Sequence, residues 1–224
     1  MHIPDGFLDA KVWAAADVVA VAVVGACARK VKGNLGERQA PLLGVTAAFV
    51  FAAQMVNFPV AGGTSGHFVG GALIAILLGP AAGVIVMTCV LLLQCFIFAD
   101  GGLLALGANI LNMGVVGSFL GYGVFAFMPR VHLWGLRRMW AGKGSLAVAA
   151  FAAGWFSVVG AACFCALELG LSGRYPLWGA MAAMGSVHAL IGVGEGIITA
   201  MVLNFLARVR PELTAGFDAG GGAE

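Results

Sequence analysis

The chain has 224 residues, of which 61% are hydrophobic and only 10% charged, and its net charge is +2. Its mean hydropathy is +1.00. Soluble domains carry roughly 25% charged residues, so this composition excludes a soluble globular protein and indicates a polytopic membrane protein. The basic residues are scattered through short loops, and the net charge therefore gives no indication of nucleic-acid binding.

The first predicted element is an N-terminal segment, residues 1–12, that begins MHIPDGFL. No basic n-region or small-residue cleavage site precedes the first apolar run, so we expect Met1 to be retained with a free amine. That amine, the amide nitrogen of His2 and Nδ1 of its imidazole can close a five-membered and a six-membered chelate ring around one metal ion. Asp5-Gly6 is typical of a turn that folds the terminus back. From these residues alone, His2 is either such a ligand or a disordered terminal residue.

The apolar runs predict helices, because the hydrocarbon core holds no water for unpaired backbone groups. Five clear runs predict spans at about 13–28, 41–56, 103–128, 146–168 and 179–207. Residues 67–98 carry no charge and would be about 48 Å long as one helix, against a hydrocarbon core of about 30 Å. Gly79-Pro80 divides this run into two helices, of which the first, at about 68–78, is short.

The distribution of basic residues favours seven spans over six. With seven, ten of the 12 basic residues share one side, and only Lys11 and Arg174 lie opposite. The ten are Arg29, Lys30, Lys32, Arg38, Arg130, Arg137, Arg138, Lys143, Arg208 and Arg210. By the positive-inside rule this places the N-terminus outside and the C-terminus in the cytoplasm. We therefore predict an all-α bundle of seven transmembrane helices, about 13–207, in one membrane domain, 1–210, followed by a disordered cytoplasmic tail, 211–224.

The loop between the second and third predicted spans, Asn57–Gly71, holds five glycines and His67. It is interpreted as non-helical backbone packed against or between the helices. A lone histidine at a helix start is more often a cap or a hydrogen-bonding core residue than a ligand. Beside the chelate of His2, however, a neutral imidazole from His67 would complete a plane of four nitrogens. Such a plane suits Ni(II) or Cu(II) better than zinc, magnesium or calcium.

Four stretches of the sequence resemble one known family. They are MHIPDGFL, GGTSGHFVGGALIAILLGP, VMTCVLLLQCFIFADGGLLALGANILNMG and HALIGVGEG. Together they resemble the CbiM/NikM family, the substrate-binding components of energy-coupling-factor transporters for cobalt and nickel, over residues 1 to about 207. The resemblance implies seven helices and a square-planar metal site made by the Met1 amine, the His2 amide and imidazole, and His67.

Other polar residues near the predicted outer side are candidates to orient these ligands. They are Asn57, Thr64, Ser65 and Asp100. For Asn109 and Asn112, deeper in the fifth predicted span, hydrogen bonding between helices is favoured over a role at the metal.

The energy source is expected to lie outside this chain. GKGS at 142–145 lacks the upstream glycine with which the Walker A pattern GxxxxGK[ST] begins, so the chain is not expected to be the ATPase. The resemblance implies a transmembrane coupling subunit and cytoplasmic ABC-type ATPases as partners, with a small accessory membrane subunit as a further candidate. The expected function is ATP-driven import of Ni²⁺ or Co²⁺ as transported substrate across the cell membrane, with no cofactor.

Two other classes are considered. A stand-alone proton-coupled metal carrier needs a titratable path through the membrane, for which Glu195 and His188 in the last span are the candidates. An intramembrane enzyme needs a nucleophile–base pair or an HExxH zinc site, and the sequence contains neither. The chain is therefore not expected to be an enzyme.

Overall fold

The computed structural model describes residues 1–34, 39–60, 64–128 and 144–211, which form a helical bundle with one small sheet. A hairpin of β1 (Asn57–Val60) and β2 (Thr64–His67) connects the second helix to the third. The helices are α1 (Ala10–Asn34), α2 (Gln39–Gln54), α3 (Gly71–Leu78), α4 (Pro80–Phe98), α5 (Leu106–Phe127), α6 (Gly144–Leu171) and α7 (Leu177–Val209).

Within the described residues, five helices are long and apolar enough to cross a membrane, namely α1, α4, α5, α6 and α7. Two are shorter: the apolar part of α2 covers Ala40–Gln54, and α3 has only 8 residues. At about 1.5 Å per residue, α3 covers about 12 Å, less than half of the hydrocarbon core. The multi-pass membrane class is confirmed, whereas the count of seven spans and the orientation of the termini stay predictions.

Some of the predicted topology falls outside the part of the chain that the structure describes. The predicted tail lies there from residue 212 onward. Five of the basic residues that favoured seven spans lie there as well: Arg38, Arg130, Arg137, Arg138 and Lys143.

The predicted break in the run 67–98 is present at Gly79. Its φ is 86°, a value that favours glycine, and it ends α3. Pro80 begins α4, at a position where a helix needs no backbone N–H donor. Because α3 is buried from Gly71 to Ile76, it is packed among other elements rather than facing lipid.

The segment predicted as a loop is an antiparallel hairpin, and the all-α prediction is wrong at this point. His67 pairs with Asn57, and Thr64 pairs with Val60. His67 therefore ends a strand and does not begin a helix, since α3 starts only at Gly71. The physical reason is that β2 is mostly buried, so its backbone groups need partners, which β1 supplies.

Helix α5 changes its winding along its length. Its first turn, Leu106–Asn109, and its last part, Gly117–Phe127, are α-helical, and Ile110–Val116 between them is π-helical. Asn112 lies in the π-helical part and donates a 2.8 Å hydrogen bond to Glu168 of α6. This agrees with the interpretation of Asn112 as a residue that joins two helices, and π-helical turns are common where a side chain has to be directed to a particular partner.

The contact between α5 and α3 gives a test of the packing. A Cβ on Gly121 would lie 2.9 Å from the Cα of Ala72 in α3 and 3.2 Å from the Cβ of Ser157 in α6. Because backbone cannot move aside, we expect Gly121→Ala to lower stability by about 1–3 kcal/mol. Thermal unfolding of the purified protein in detergent measures this loss.

Gly123 is the matched control on the same helix, since a Cβ there meets nothing within 4 Å. We expect Gly123→Ala to leave the melting temperature unchanged or slightly raised, because alanine favours helix over glycine. Equal melting temperatures for the two variants would contradict the close approach of α5 to α3.

Candidate metal centre

The first three residues are buried inside the bundle. Met1 and Ile3 are 0% exposed and His2 is 3% exposed. The Ile3 N–H donates to Oδ1 of Asn109 at 2.8 Å, and the Ile3 carbonyl accepts from Nδ2 of Asn109 at 3.2 Å and from the Gly102 N–H at 2.9 Å. Docked on both sides in this way, the terminus is an ordered part of the core.

A turn just beyond these residues directs the terminus inward. Gly6 has φ 86°, and the Phe7 N–H lies 3.5 Å from the Pro4 carbonyl, so the turn predicted from Asp5-Gly6 is present. The Asp5 carboxylate accepts hydrogen bonds from the backbone N–H groups before α5, at 3.1 Å from Leu103 and 2.8 Å from Leu104. The turn is thus fixed to the segment that precedes α5.

Ser65 on β2 contacts both nitrogens of the terminal backbone. The Met1 amine donates to the main-chain oxygen of Ser65 and to its Oγ, the latter at 2.9 Å. The His2 N–H donates to the same Oγ at 3.2 Å. The amine and the first amide therefore face the strand that carries His67.

The two imidazoles lie against each other. The rings of His2 and His67 are stacked, with centroids 4.6 Å apart and planes 26° apart. The Nε2 of His2 lies 3.0 Å from Oε1 of Gln94, and the Nδ1 of His67 lies 2.7 Å from the Phe68 carbonyl. Since a carbonyl oxygen only accepts, these contacts favour a proton on each of the two ring nitrogens.

The other nitrogen of each ring is left with its lone pair. Nδ1 of His2 and Nε2 of His67 are buried, and neither has a hydrogen-bond partner among the described residues. The first is the nitrogen that the chelate predicted from the sequence would use, and the second is the free nitrogen of the imidazole expected to complete the plane. Two unpartnered lone pairs in a buried polar site are a reason to expect a ligand there.

Burial keeps the candidate ligands uncharged. It lowers the pKa of the Met1 amine to about 5 and the pKa of His2 to about 3. Burial also holds the pKa of His67 well below its usual value, and the nearby terminal amine and His2 lower it further. At neutral pH all three groups are therefore in the form that binds a metal cation.

Asp100 lies at the edge of the site. Its Oδ1 is 3.3 Å from Nδ1 of His2, and its side chain is 26% exposed. Because His2 is neutral at neutral pH, this contact is not an ion pair, and burial raises the pKa of Asp100. Asp100 also borders a cavity of about 570 Å³ over His2, together with Asp5, Thr64 and Ser65.

The four residues expected to orient the ligands divide into two pairs. Ser65 and Asp100 contact the terminal residues directly. Thr64 lines the cavity, but its hydroxyl points to the sulfur of Met184 at 3.1 Å. Asn57 is paired with His67 in the sheet register and is exposed.

Glu195 and His188, the candidates for a proton path, have other partners. The Glu195 carboxylate accepts from the Val69 N–H at 2.7 Å and the Gly70 N–H at 2.9 Å, so it holds the two residues just before α3. The Nδ1 of His188 lies 2.8 Å from the Met184 carbonyl. These contacts give Glu195 a structural role in holding the segment that follows His67.

Two buried glutamines contribute to the site without having been predicted from the sequence. Gln94 contacts His2, and Gln54 contacts Gln94. Each is the single amide in an apolar stretch, VLLLQCFIF for Gln94 and FVFAAQMV for Gln54, and this isolation was the available signal.

Side chains alone do not make up a metal site here. Among the described residues, no group of three or more His, Cys, Asp or Glu side chains is placed to hold a metal ion. The Met1 amine and the His2 amide are the main-chain nitrogens that lie beside the two imidazoles.

Comparison with known proteins agrees with the membrane class and with the motifs. Residues 2–213 match the family CbiM, described as "Cobalt uptake substrate-specific transmembrane region". A relative from Archaeoglobus fulgidus, "Putative fused nickel transport protein NikMN", is 43% identical over 95% of this chain and 68% of its own length. "Putative metal transport protein HQ_3621A" from Haloquadratum walsbyi is 43% identical over 95% of this chain and 93% of its own length.

The fold is similar to that of a solved protein. A crystal structure described as that of a transition metal transporter superposes with a TM-score of 0.85 and 31% identity, covering 99% of this chain and 100% of the other. With the family matched over nearly the whole sequence, the chain belongs to the CbiM family of substrate-specific transmembrane components for metal uptake and is a multi-pass membrane protein rather than an enzyme.

Proposed function

We propose that this chain is the substrate-binding membrane component of an ATP-driven importer of the energy-coupling-factor type. Its substrate is Ni²⁺ or Co²⁺, captured from outside the cell. The observation that carries the proposal is the burial of an uncharged terminus beside two unpartnered imidazole nitrogens. The family description names cobalt uptake and one relative is named for nickel, so both metals are kept as substrates.

In the proposed site, four nitrogens bind the metal in one plane. They are the Met1 amine, the amide nitrogen and Nδ1 of His2, and Nε2 of His67. The His2 amide loses its proton when the metal binds, and Ser65 Oγ, which now accepts from that N–H at 3.2 Å, is released from the bond. A square plane of nitrogen ligands suits Ni(II), and it suits Cu(II) as well.

We further propose seven membrane crossings with the N-terminus outside and the C-terminus in the cytoplasm. The terminal residues and the cavity over His2 then face the outside. Basic residues at the far ends of the first and last helices support this orientation, namely Arg29, Lys30 and Lys32 in α1 and Arg208 in α7. The short helix α3 would count as a crossing only together with the hairpin that precedes it.

Partner subunits complete the transporter in this proposal. A transmembrane coupling subunit transmits the energy of ATP hydrolysis by cytoplasmic ABC-type ATPases, and a small accessory membrane subunit is a further candidate. Metal capture from outside is followed by rearrangement of the β1–β2 hairpin and by release to the cytoplasm. Cavity-facing Ser65 and Asp100 would be the first groups to move, since they contact the ligands.

The spacing of the terminal chelate can be tested by inserting one alanine between Met1 and His2. Replacing a residue that only orients a metal ligand typically lowers affinity ~10–100-fold. In the native chain, we expect His67→Ala to lower nickel affinity by more than this, because it removes a direct ligand. In the insertion variant, all four nitrogens can come from the terminus, and His67→Ala should have no further effect. Isothermal titration with nickel measures all four proteins.

The four affinities separate the alternatives. If the insertion variant binds nickel as tightly as the native chain and still depends on His67, the terminal chelate is wrong. Asn57→Ala is the matched control, because Asn57 lies opposite His67 in the sheet but is exposed. The nickel affinity of this variant should equal that of the native chain.

Nickel binding should depend less on pH in the protein than in a peptide of the first seven residues. In the free peptide the amine and imidazole keep their ordinary pKa values of 8.0 and 6.5, whereas in the protein they are about 5 and about 3. Protons therefore compete with the metal in the peptide between pH 8 and pH 6, but hardly at all in the protein. We expect the protein-to-peptide affinity ratio to rise about 100-fold from pH 8 to pH 6.

Loss of the amide proton occurs in both molecules and cancels in this ratio. Nickel titrations of both at pH 8, 7 and 6 provide the measurement. A ratio that stays constant over this range would show that the terminal amine is not held in its neutral form.

The energy source is tested by nickel uptake into cells that express the chain with and without its coupling subunit and ATPases. We expect uptake to require the partners and to stop when the ATPase catalytic lysine is replaced, while a collapsed pH gradient leaves it intact. Uptake by the chain alone, driven by a pH gradient and abolished by Glu195→Gln, would instead establish the proton-coupled carrier.

A further inference from the structure

Three hydrogen bonds connect the ring of His2 to the backbone beside His67. The Nε2 of His2 lies 3.0 Å from Oε1 of Gln94 in α4. The Nε2 of Gln94 donates to Oε1 of Gln54 in α2 at 2.9 Å, and the Nε2 of Gln54 donates to the Val69 carbonyl at 2.8 Å. Val69 follows His67 by two residues, so this glutamine relay, Gln54 and Gln94, runs from the ring of His2 to the backbone just beyond His67.

The direction of the relay is fixed at its far end. A main-chain carbonyl only accepts, so Gln54 has to turn its NH₂ group toward Val69. Its oxygen then faces Gln94, which has to donate with its own NH₂ group and turn its oxygen toward His2. That oxygen requires a proton on Nε2 of His2, and the relay thus selects the ring tautomer whose lone pair is on Nδ1.

Asp100 favours the other tautomer of His2. Its Oδ1 lies 3.3 Å from Nδ1 of His2, the nitrogen that has to stay unprotonated for the metal. A carboxylate at this position favours a proton on Nδ1, which would block the ligand. The tautomer of His2 therefore depends on which side of the ring offers the better acceptor, and the two sides can be separated by mutation.

Both glutamines of the relay are buried, so their hydrogen bonds cannot be replaced by bonds to bulk water. Gln54 and Gln94 are both 0% exposed. A buried amide without partners costs free energy, and each of these amides has its oxygen and its NH₂ group paired within the relay. The start of α3 is held at the same place from the other side, since Glu195 accepts from the Val69 N–H.

We propose that Gln54 and Gln94 are positioning residues that hold His2 as its Nε2–H tautomer, so that Nδ1 is available to the incoming metal cation. The proposal rests on the proposed function for the role of Nδ1 as a ligand. Control of the tautomer, by contrast, is a property of the metal-free protein and is measured without any metal.

The first experiment reads the tautomer directly. Metal-free protein labelled with ¹³C and ¹⁵N at its four histidines is reconstituted in lipid and studied by magic-angle-spinning NMR, with His2→Ala to assign the His2 signals. We expect the Nε2–H form in the native chain. In Gln94→Leu, the proton should move to Nδ1, where Asp100 accepts it, and Gln54→Leu should give a mixture because Gln94 is then free to turn.

The second experiment measures nickel affinity by competition with a chelator. Gln94→Leu should weaken binding about 10–100-fold, as is typical when a residue that orients a metal ligand is removed. Gln94→Glu keeps an acceptor oxygen toward His2, so it should retain the Nε2–H form and bind more tightly than Gln94→Leu. Thr88→Val is the control, because it also removes a buried side-chain donor from α4. The Thr88 hydroxyl donates to the Val84 carbonyl and takes no part in the relay.

The outcomes are distinct. An Nδ1–H form in the native chain, or a His2 tautomer unchanged in Gln94→Leu, overturns the proposal. Equal losses of affinity in Gln94→Leu, Gln94→Glu and Thr88→Val also overturn it, since they indicate a packing effect. A tautomer that responds as expected in a protein that does not bind nickel refutes the proposed function and leaves control of the tautomer supported.

Discussion

The constraint on which this structure depends is that its N-terminus has to be uncharged. An ammonium group and two imidazolium rings cannot be buried together without a large free-energy cost. Burial shifts the pKa values of the Met1 amine and His2 downward, and the groups enter the core as neutral bases. The same burial that makes them compatible with the core also leaves them with the lone pairs that a metal cation needs.

Neutral bases in a buried site need hydrogen-bond partners that leave their lone pairs free, and the surrounding elements provide such partners. Asn109 binds both backbone groups of Ile3, so the terminus is held at its third residue rather than at its ligands. Gln94 and the Phe68 carbonyl occupy the protonated nitrogens of the two rings. Each contact fixes position without occupying a nitrogen of the candidate site.

Much of the helical architecture was accessible from the sequence, because apolar runs and their breaks have simple physical causes. The break at Gly79 and the turn at Asp5-Gly6 are local and were predicted. The hairpin and the π-helical part of α5 were not, since both depend on tertiary contacts. Strand β2 forms because it is buried against its neighbours, and Ile110–Val116 gives no local pattern that distinguishes a π-helix from an α-helix.

For the candidate site, the sequence singled out the proposed ligands but only part of their surroundings. His2 and His67 could be proposed from nitrogen chemistry and spacing, because a terminal chelate leaves one position for one more imidazole. Ser65 contacts the terminal residues, whereas Asn57, although it pairs with His67 in the sheet, is exposed at the start of β1. Strand pairing alone therefore does not decide which residue reaches the site. Gln54 lies on a helix distant in sequence from His2, and no linear pattern relates the two.

The buried terminus also constrains the order in which parts of the fold can assemble. The terminus has neighbours from distant parts of the chain: Ser65 on β2, Asn109 of α5 through Ile3, and Cys165 of α6, whose sulfur lies 4.0 Å from the Met1 carbonyl. The chamber that receives the terminus is complete only when most of the chain has been translated and inserted. Docking of the terminus therefore has to follow the assembly of β2, α5 and α6 around it.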